Sequence, residues 1–189
     1  MQQTTAGTYR VLASPRDPDE WLLLDTASVD PTYVPAGDED LPELHPGNRV
    51  HAELVWDDDT PRFSELDIET ETRFFFTRTG ASMFEVALDC WYEAEAANEP
   101  MNAQVTYSTD NEPNGVVYTF ADQPGQRDLL DEFRDGVNPL EPLVARAAEN
   151  ADPPFDVFVI DHTGHPFLVV YIVLDPDGIL ADTVRDTYF

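Results

Sequence analysis

Over residues 1–78, apolar side chains recur with the two-residue period of a half-buried strand. The clearest stretch places Val50, Ala52, Leu54 and Trp56 on one side, with His51, Glu53 and Val55 on the other. Five short strands are predicted, over 9–13, 21–25, 49–56, 62–68 and 72–77, each rich in β-branched or aromatic residues and bounded by Pro, Gly or Asp. The run Asp57-Asp58-Asp59-Thr60-Pro61 marks a tight turn between the third and the fourth. So many short strands in so short a span predict a small closed β-barrel, since closure removes the exposed edges that an open sheet leaves.

After Thr79 the period lengthens. Phe84, Ala87, Leu88, Trp91 and Ala94 follow Ser82-x-x-Glu85, a capping-box pattern, so a helix is predicted from 82 to 98, ending before Pro100. Strands over 103–108 and 116–121 flank the turn sequence Asp110-Asn-Glu-Pro-Asn-Gly115. Helices are predicted over 126–135, ending at Gly136, and over 139–150, with Pro139 in the first turn and Glu141 completing a second capping box. A second hairpin joins 155–160 to 167–174, and Leu180, Val184 and Tyr188 at a spacing of four predict a closing helix over 178–188. Helix, hairpin, helix thus occurs twice, a possible internal duplication in pattern. The expected class is α+β: a β-barrel domain over 1–78, then a two-layer domain over 79–189 with helices on one face of an antiparallel sheet. The alternative is one sheet shared by both halves.

Charge changes this picture in kind. The 189 residues hold 38 acids and 10 arginines, with no lysine, for a net charge of −28. Such a chain cannot form the cationic field of a nucleic-acid clamp or a polybasic membrane anchor. About a quarter of the residues are Leu, Ile, Val or Phe, above the roughly 20% below which highly charged chains stay disordered. Acids are spread along both halves, as on a solvated surface, where a nucleic-acid mimic would concentrate them. In this respect the chain resembles cytosolic proteins of extreme halophiles, whose molar internal salt shrinks the Debye length to about 3 Å and screens the repulsion. One cysteine, Cys90, permits no internal disulfide, which suits a reducing compartment. Neither a signal-peptide pattern nor a membrane-length apolar run occurs, so a cytoplasmic protein without membrane contact is expected.

The chain resembles a family of small uncharacterised haloarchaeal proteins. The resemblance is carried by Tyr9-Arg-Val-Leu12, Pro31-Thr-Tyr-Val-Pro35, His45-Pro-Gly-Asn-Arg-Val-His51, Ser108-Thr-Asp-Asn-Glu-Pro-Asn-Gly115, the run from Asp131 to Pro142 and the run from Ala181 to Tyr188. It spans nearly the whole chain and implies no assigned activity. The entry Leu44-His-Pro-Gly-Asn-Arg-Val-His51 is similar to the Pro-Gly-led start of a long strand in OB-fold or SH3-like barrels.

Candidate chemistry is sparse. No phosphate-binding glycine loop, nucleophile elbow or zinc-protease motif is present, and the absence of lysine removes Schiff-base chemistry. His162-x-x-His165 falls in a turn with too few neighbouring ligands for zinc, and Asp57-Asp58-Asp59 and Asp175-Pro-Asp177 lack calcium-loop spacing. Neither a metal nor a cofactor is therefore expected. Cys90, beside Trp91 on a helix, is expected to be a core thiol. Two surfaces stand out for lacking acids. Asn102, Gln104, Thr106 and Ser108 alternate with Ala103, Val105 and Tyr107, giving an uncharged hydrogen-bonding row that, with Asn114, Arg127 and Arg134, would cradle a polar ligand, the alternative being an edge strand whose side chains pair within the sheet. On the barrel, Trp56 with Arg49, Arg62 and Arg73 would form a platform for a protein partner or for stacked bases, the alternative being that this face packs onto the second half and buries its rings. The expected function is accordingly a non-catalytic binding or adapter protein, with a protein partner or single-stranded nucleic acid. The alternative is a small-molecule or metal-assisted enzyme built around Asn102, Gln104, Asn114, Arg127 and Arg134.

Overall fold

A computed structural model describes residues 2–37 and 39–189. The chain divides into two compact units, residues 1–73 with 132–142, and residues 74–131 with 143–189. The structure is α+β, with two five-stranded sheets and no sheet shared between the units.

The first unit holds β1 (Gln3–Ala13), β2 (Glu20–Asp25), β3 (Pro31–Pro35), β4 (Arg49–Asp57) and β5 (Thr60–Thr70), in the order β3-β2-β1-β4-β5. All four pairings are antiparallel. The expected closed barrel is not formed: the sheet stays open between β3 and β5, which approach one another without pairing. β3 explains why. It is five residues long with a proline at each end, so it lacks the donors a closing ladder needs. Leu41 and Leu44, from the segment after β3, pack onto the core of this sheet. That core comprises Tyr9, Val11, Leu23, Val34, Val50, Ala52, Leu54 and Leu66. The strand pattern does not predict β3, because Pro31 and Pro35 read as turn signals while an edge strand tolerates both. The strand expected over 72–77 exists as β6 (Arg73–Thr79) but belongs to the other sheet.

The second sheet runs β6-β9-β10-β8-β7, with β7 (Met101–Tyr107), β8 (Pro113–Ala121), β9 (Asp156–His162) and β10 (Phe167–Val173). The two hairpins lie side by side through β8 against β10. Helices α1 (Glu85–Ala96) and α4 (Ile179–Tyr188) cover one face, packing Cys90, Trp91, Ala181 and Val184 against Phe158, Phe167, Val169 and Tyr171. The Trp91 and Phe167 rings stack at 5.1 Å. β10 is buried along its whole length because both faces are covered, which is why it reads as an unbroken apolar run. Helices on one face only were expected. Instead the end of α3 (Glu141–Ala148) lies against the opposite face, where Arg146 and Ala147 meet Val116 and Tyr118. The remaining helix is α2 (Leu129–Arg134).

The first helix also starts differently from its capping-box pattern. Phe84, not Ser82, occupies the cap position, with no side-chain cap. The Phe84 N–H donates instead to the Tyr188 hydroxyl at 3.1 Å, and that hydroxyl donates to the Ser82 carbonyl at 2.9 Å. A tertiary contact from α4 thus replaces the local cap.

Candidate functional site

The uncharged row on β7 faces inward. Asn102, Gln104, Thr106 and Ser108 are half-buried, while Met101, Val105 and Tyr107 between them are 43%, 43% and 57% exposed. The expected hydrogen-bonding surface is therefore not on the outside of the strand. Antiparallel register gives the reason. Asn102, Gln104 and Thr106 lie opposite Thr119, Val117 and Gly115, so they share the face covered by α1.

There the row is tied into the fold. Asn102 Nδ2 donates to the Cys90 carbonyl of α1 at 2.9 Å. Tyr171 donates from its hydroxyl to Thr106 Oγ1 at 2.8 Å, and Thr106 donates onward to Asn114 Oδ1 at 2.7 Å. Gly115 makes room for this chain, because a Cβ there would sit 2.6 Å from the Tyr171 ring. Burial raises the Tyr171 phenol above its ordinary pKa, and the Thr106 bond offsets part of that rise. Ser108 closes the following turn, its N–H donating to the Glu112 carbonyl at 2.8 Å. Gln104 differs from its neighbours: its Oε1 is buried and accepts no hydrogen bond among the described residues.

Two arginines are expected beside this row. Arg127 lines a separate small cavity of about 170 Å³ with Asp122, Asp128 and Asp161. Arg134 lies in the segment grouped with the first unit, 3.4 Å from Asp135. Beside the small cavity, Arg78 binds Asp128 at 2.5 Å and Asp161 at 3.1 Å. Burial, then the Asp161 and Asp128 carboxylates, push the Asp122 carboxyl above the ordinary aspartate range. Burial acts the same way on Asp128, but the N–H of Asp131 and the Arg78 guanidinium outweigh it and hold that carboxyl low. No group of three or more His, Cys, Asp or Glu among the described residues is arranged to hold a metal. His162 Nδ1 accepts the Gly164 N–H at 2.9 Å, within the turn that carries His165.

In the first unit the expected stacking platform is not assembled. Trp56 is half-buried and donates from Nε1 to Thr5 Oγ1 at 2.8 Å. Arg49 pairs with Glu69 at 3.0 Å, and Arg62 and Arg73 are exposed. Among the described residues, no aromatic ring of residues 1–73 is among the exposed large apolar side chains.

What the pattern of the chain concealed is the opposite face of the same strand. Ala103, Val105, Tyr107, Val116 and Tyr118, with Leu174 and the end of α3, enclose a cleft of about 520 Å³. None of the residues lining it is Asp or Glu, in a chain with 38 acids. Arg146 is its only charge, and that guanidinium partly counteracts the burial that raises the Tyr118 phenol. Ala103, Val105 and Tyr107 are the apolar members of the alternation, and the alternation by itself does not say which set a helix covers.

Across residues 1–189 the chain matches one family model, described as a family of unknown function, DUF6663. The chain belongs to DUF6663. No match is found among curated proteins. Membership of DUF6663 covers both units of the fold. No described helix of this DUF6663 member is long and apolar enough to cross a membrane.

Proposed function

We propose that this chain is a non-catalytic binding or adapter protein of a halophilic archaeal cytoplasm, and that its partner is a protein docking in the cleft between β7, β8 and the end of α3. One observation carries the proposal: the cleft is lined by apolar and uncharged side chains plus one arginine, on a protein whose surface is otherwise crowded with carboxylates. At about 520 Å³ it falls within the roughly 300–1,000 Å³ range of ligand-binding clefts. Val105 and Tyr107 offer apolar area that water hydrates poorly, and removing that area from water supplies the driving force. Arg146, exposed at the rim of the cleft, selects for an acidic group on the partner. The occupant is thus an extended peptide segment with apolar side chains and one carboxylate. Molar salt strengthens the apolar part of this contact while screening the repulsion between two acidic proteins.

A peptide-display selection in molar KCl tests the proposal. Enriched sequences should combine an aromatic or aliphatic residue with Asp, Glu or a free C-terminus, and Arg146→Glu should weaken their binding by about tenfold or more. Enrichment of no such class, or binding indifferent to both Arg146→Glu and Tyr107→Ser, overturns it.

A further inference from the structure

The geometry points to a second use of β7: we infer that its open edge pairs with the same edge of a second copy, in an antiparallel two-fold dimer centred on Gln104. The inference concerns the backbone edge of β7, not the side chains of the cleft, and stands apart from the partner reading above.

Three edges of the two sheets carry devices that discourage strand addition. β3 is short and bracketed by Pro31 and Pro35, β5 bears Arg62, Glu65, Asp67 and Glu69 with register shifts against β4, and β6 bears Arg73 and Arg78. β7 has seven residues with no charge and no proline. Its backbone direction is set by its partner strand. The Ala121 N–H donates to the Pro100 carbonyl at 2.8 Å, and bonding alternates along an antiparallel ladder. Even-numbered positions therefore bond to β8, and Ala103 and Val105 turn their N–H and C=O outward. Consistently, the Ala103 N–H meets no strand and takes the Asn102 side-chain oxygen at 2.9 Å.

A second copy is favoured because this strand is complementary to itself, as an isologous interface requires. With the axis at Gln104, Met101 lies opposite the other copy's Tyr107, Ala103 opposite Val105, and Asn102 opposite Thr106. Every pair matches apolar with apolar or polar with polar. Ala103 and Val105 become hydrogen-bonded pairs and displace the Asn102 oxygen. The two Gln104 residues form the close, non-bonded pair, which sets a second carboxamide beside the side chain whose Oε1 has no partner. Above β7, α1 carries Glu85, Asp89, Glu93 and Glu95, so pairing brings acidic helices together and requires salt.

Sedimentation of the full chain in molar KCl should show twice the chain mass, dissociating as salt is lowered. Ala103→Pro, which removes an outward N–H, should weaken association by roughly tenfold or more while leaving the far-UV CD spectrum native. Gln104→Cys should form an intermolecular disulfide on mild oxidation, because non-bonded antiparallel pairs hold their Cα atoms about 4.5 Å apart. The native Cys90 is buried and should not react. Met101→Cys should cross-link far more slowly, although Met101 is the more exposed position. A monomer at every concentration in molar KCl, or equal cross-linking from positions 101 and 104, overturns the inference.

Discussion

Arg10 is 4% exposed and donates to Glu141 from Nε at 2.7 Å and from Nη2 at 3.0 Å, while Nη1 donates to the Gly47 carbonyl at 2.9 Å. This bidentate pair ties residues 132–142 to β1 within the first unit, and the Gly47 bond holds the same guanidinium against the turn that precedes β4. Removing one partner strands a buried charge, so Glu141→Ala should cost about 3–5 kcal/mol by urea titration in molar KCl, and Arg10→Met with Glu141→Leu should recover most of it. A single-variant cost no larger than that of a surface substitution would show that water reaches the guanidinium. Nothing in the sequence marks this pair, since its members are separated by 131 residues and Glu141 reads locally as a capping residue. The β7 row fails to be legible for a related reason. Alternation separates Asn102, Gln104 and Thr106 from Val105 and Tyr107 correctly, but it carries no information on which set faces a helix. Cys90 was legible: burial raises its thiol pKa, and its Sγ lies 3.6 Å from Thr119 Oγ1 in the core.

At the scale of elements, local signals placed most boundaries well. The helix expected over 178–188 is α4, Ile179–Tyr188, and that expected over 82–98 is α1, Glu85–Ala96. Gly136, which the sequence marks as a helix stop, follows α2 with φ of +77°. It has a further role that sequence does not show. A Cβ there would lie 3.0 Å from Leu12 Cδ1 and 3.2 Å from both Leu22 and Leu24. Gly136→Ala should therefore destabilise by roughly 1–3 kcal/mol, from the strained φ together with crowding of these leucines. The midpoint of a urea melt checks this, and a gain in stability would mean that the loop relaxes freely. Elements whose identity depends on partners were less legible. β3 hides behind its prolines, and β6 carries the same aromatic pattern whether it joins one sheet or the other.

For the molecule as a whole, charge is the governing quantity. With −28 on 189 residues, unscreened carboxylates oppose compaction at low salt, and screening relieves them. The melting temperature should rise steadily from dilute buffer to molar KCl, with loss of native far-UV CD at the low end; identical melts across that range would contradict a halophilic setting. Composition, charge and the two periodicities are properties of the chain itself, so the sequence alone determined the acidic character, the α+β class, the two hairpins and most helices. Only the tertiary structure decided that the first sheet stays open, that 132–142 returns to the first unit, and that β7 turns its polar side inward. Those outcomes depend on which surfaces meet after the chain has folded back on itself. A period of two or of 3.6 residues defines two sides of an element, but only contacts across long sequence separations decide which side is buried.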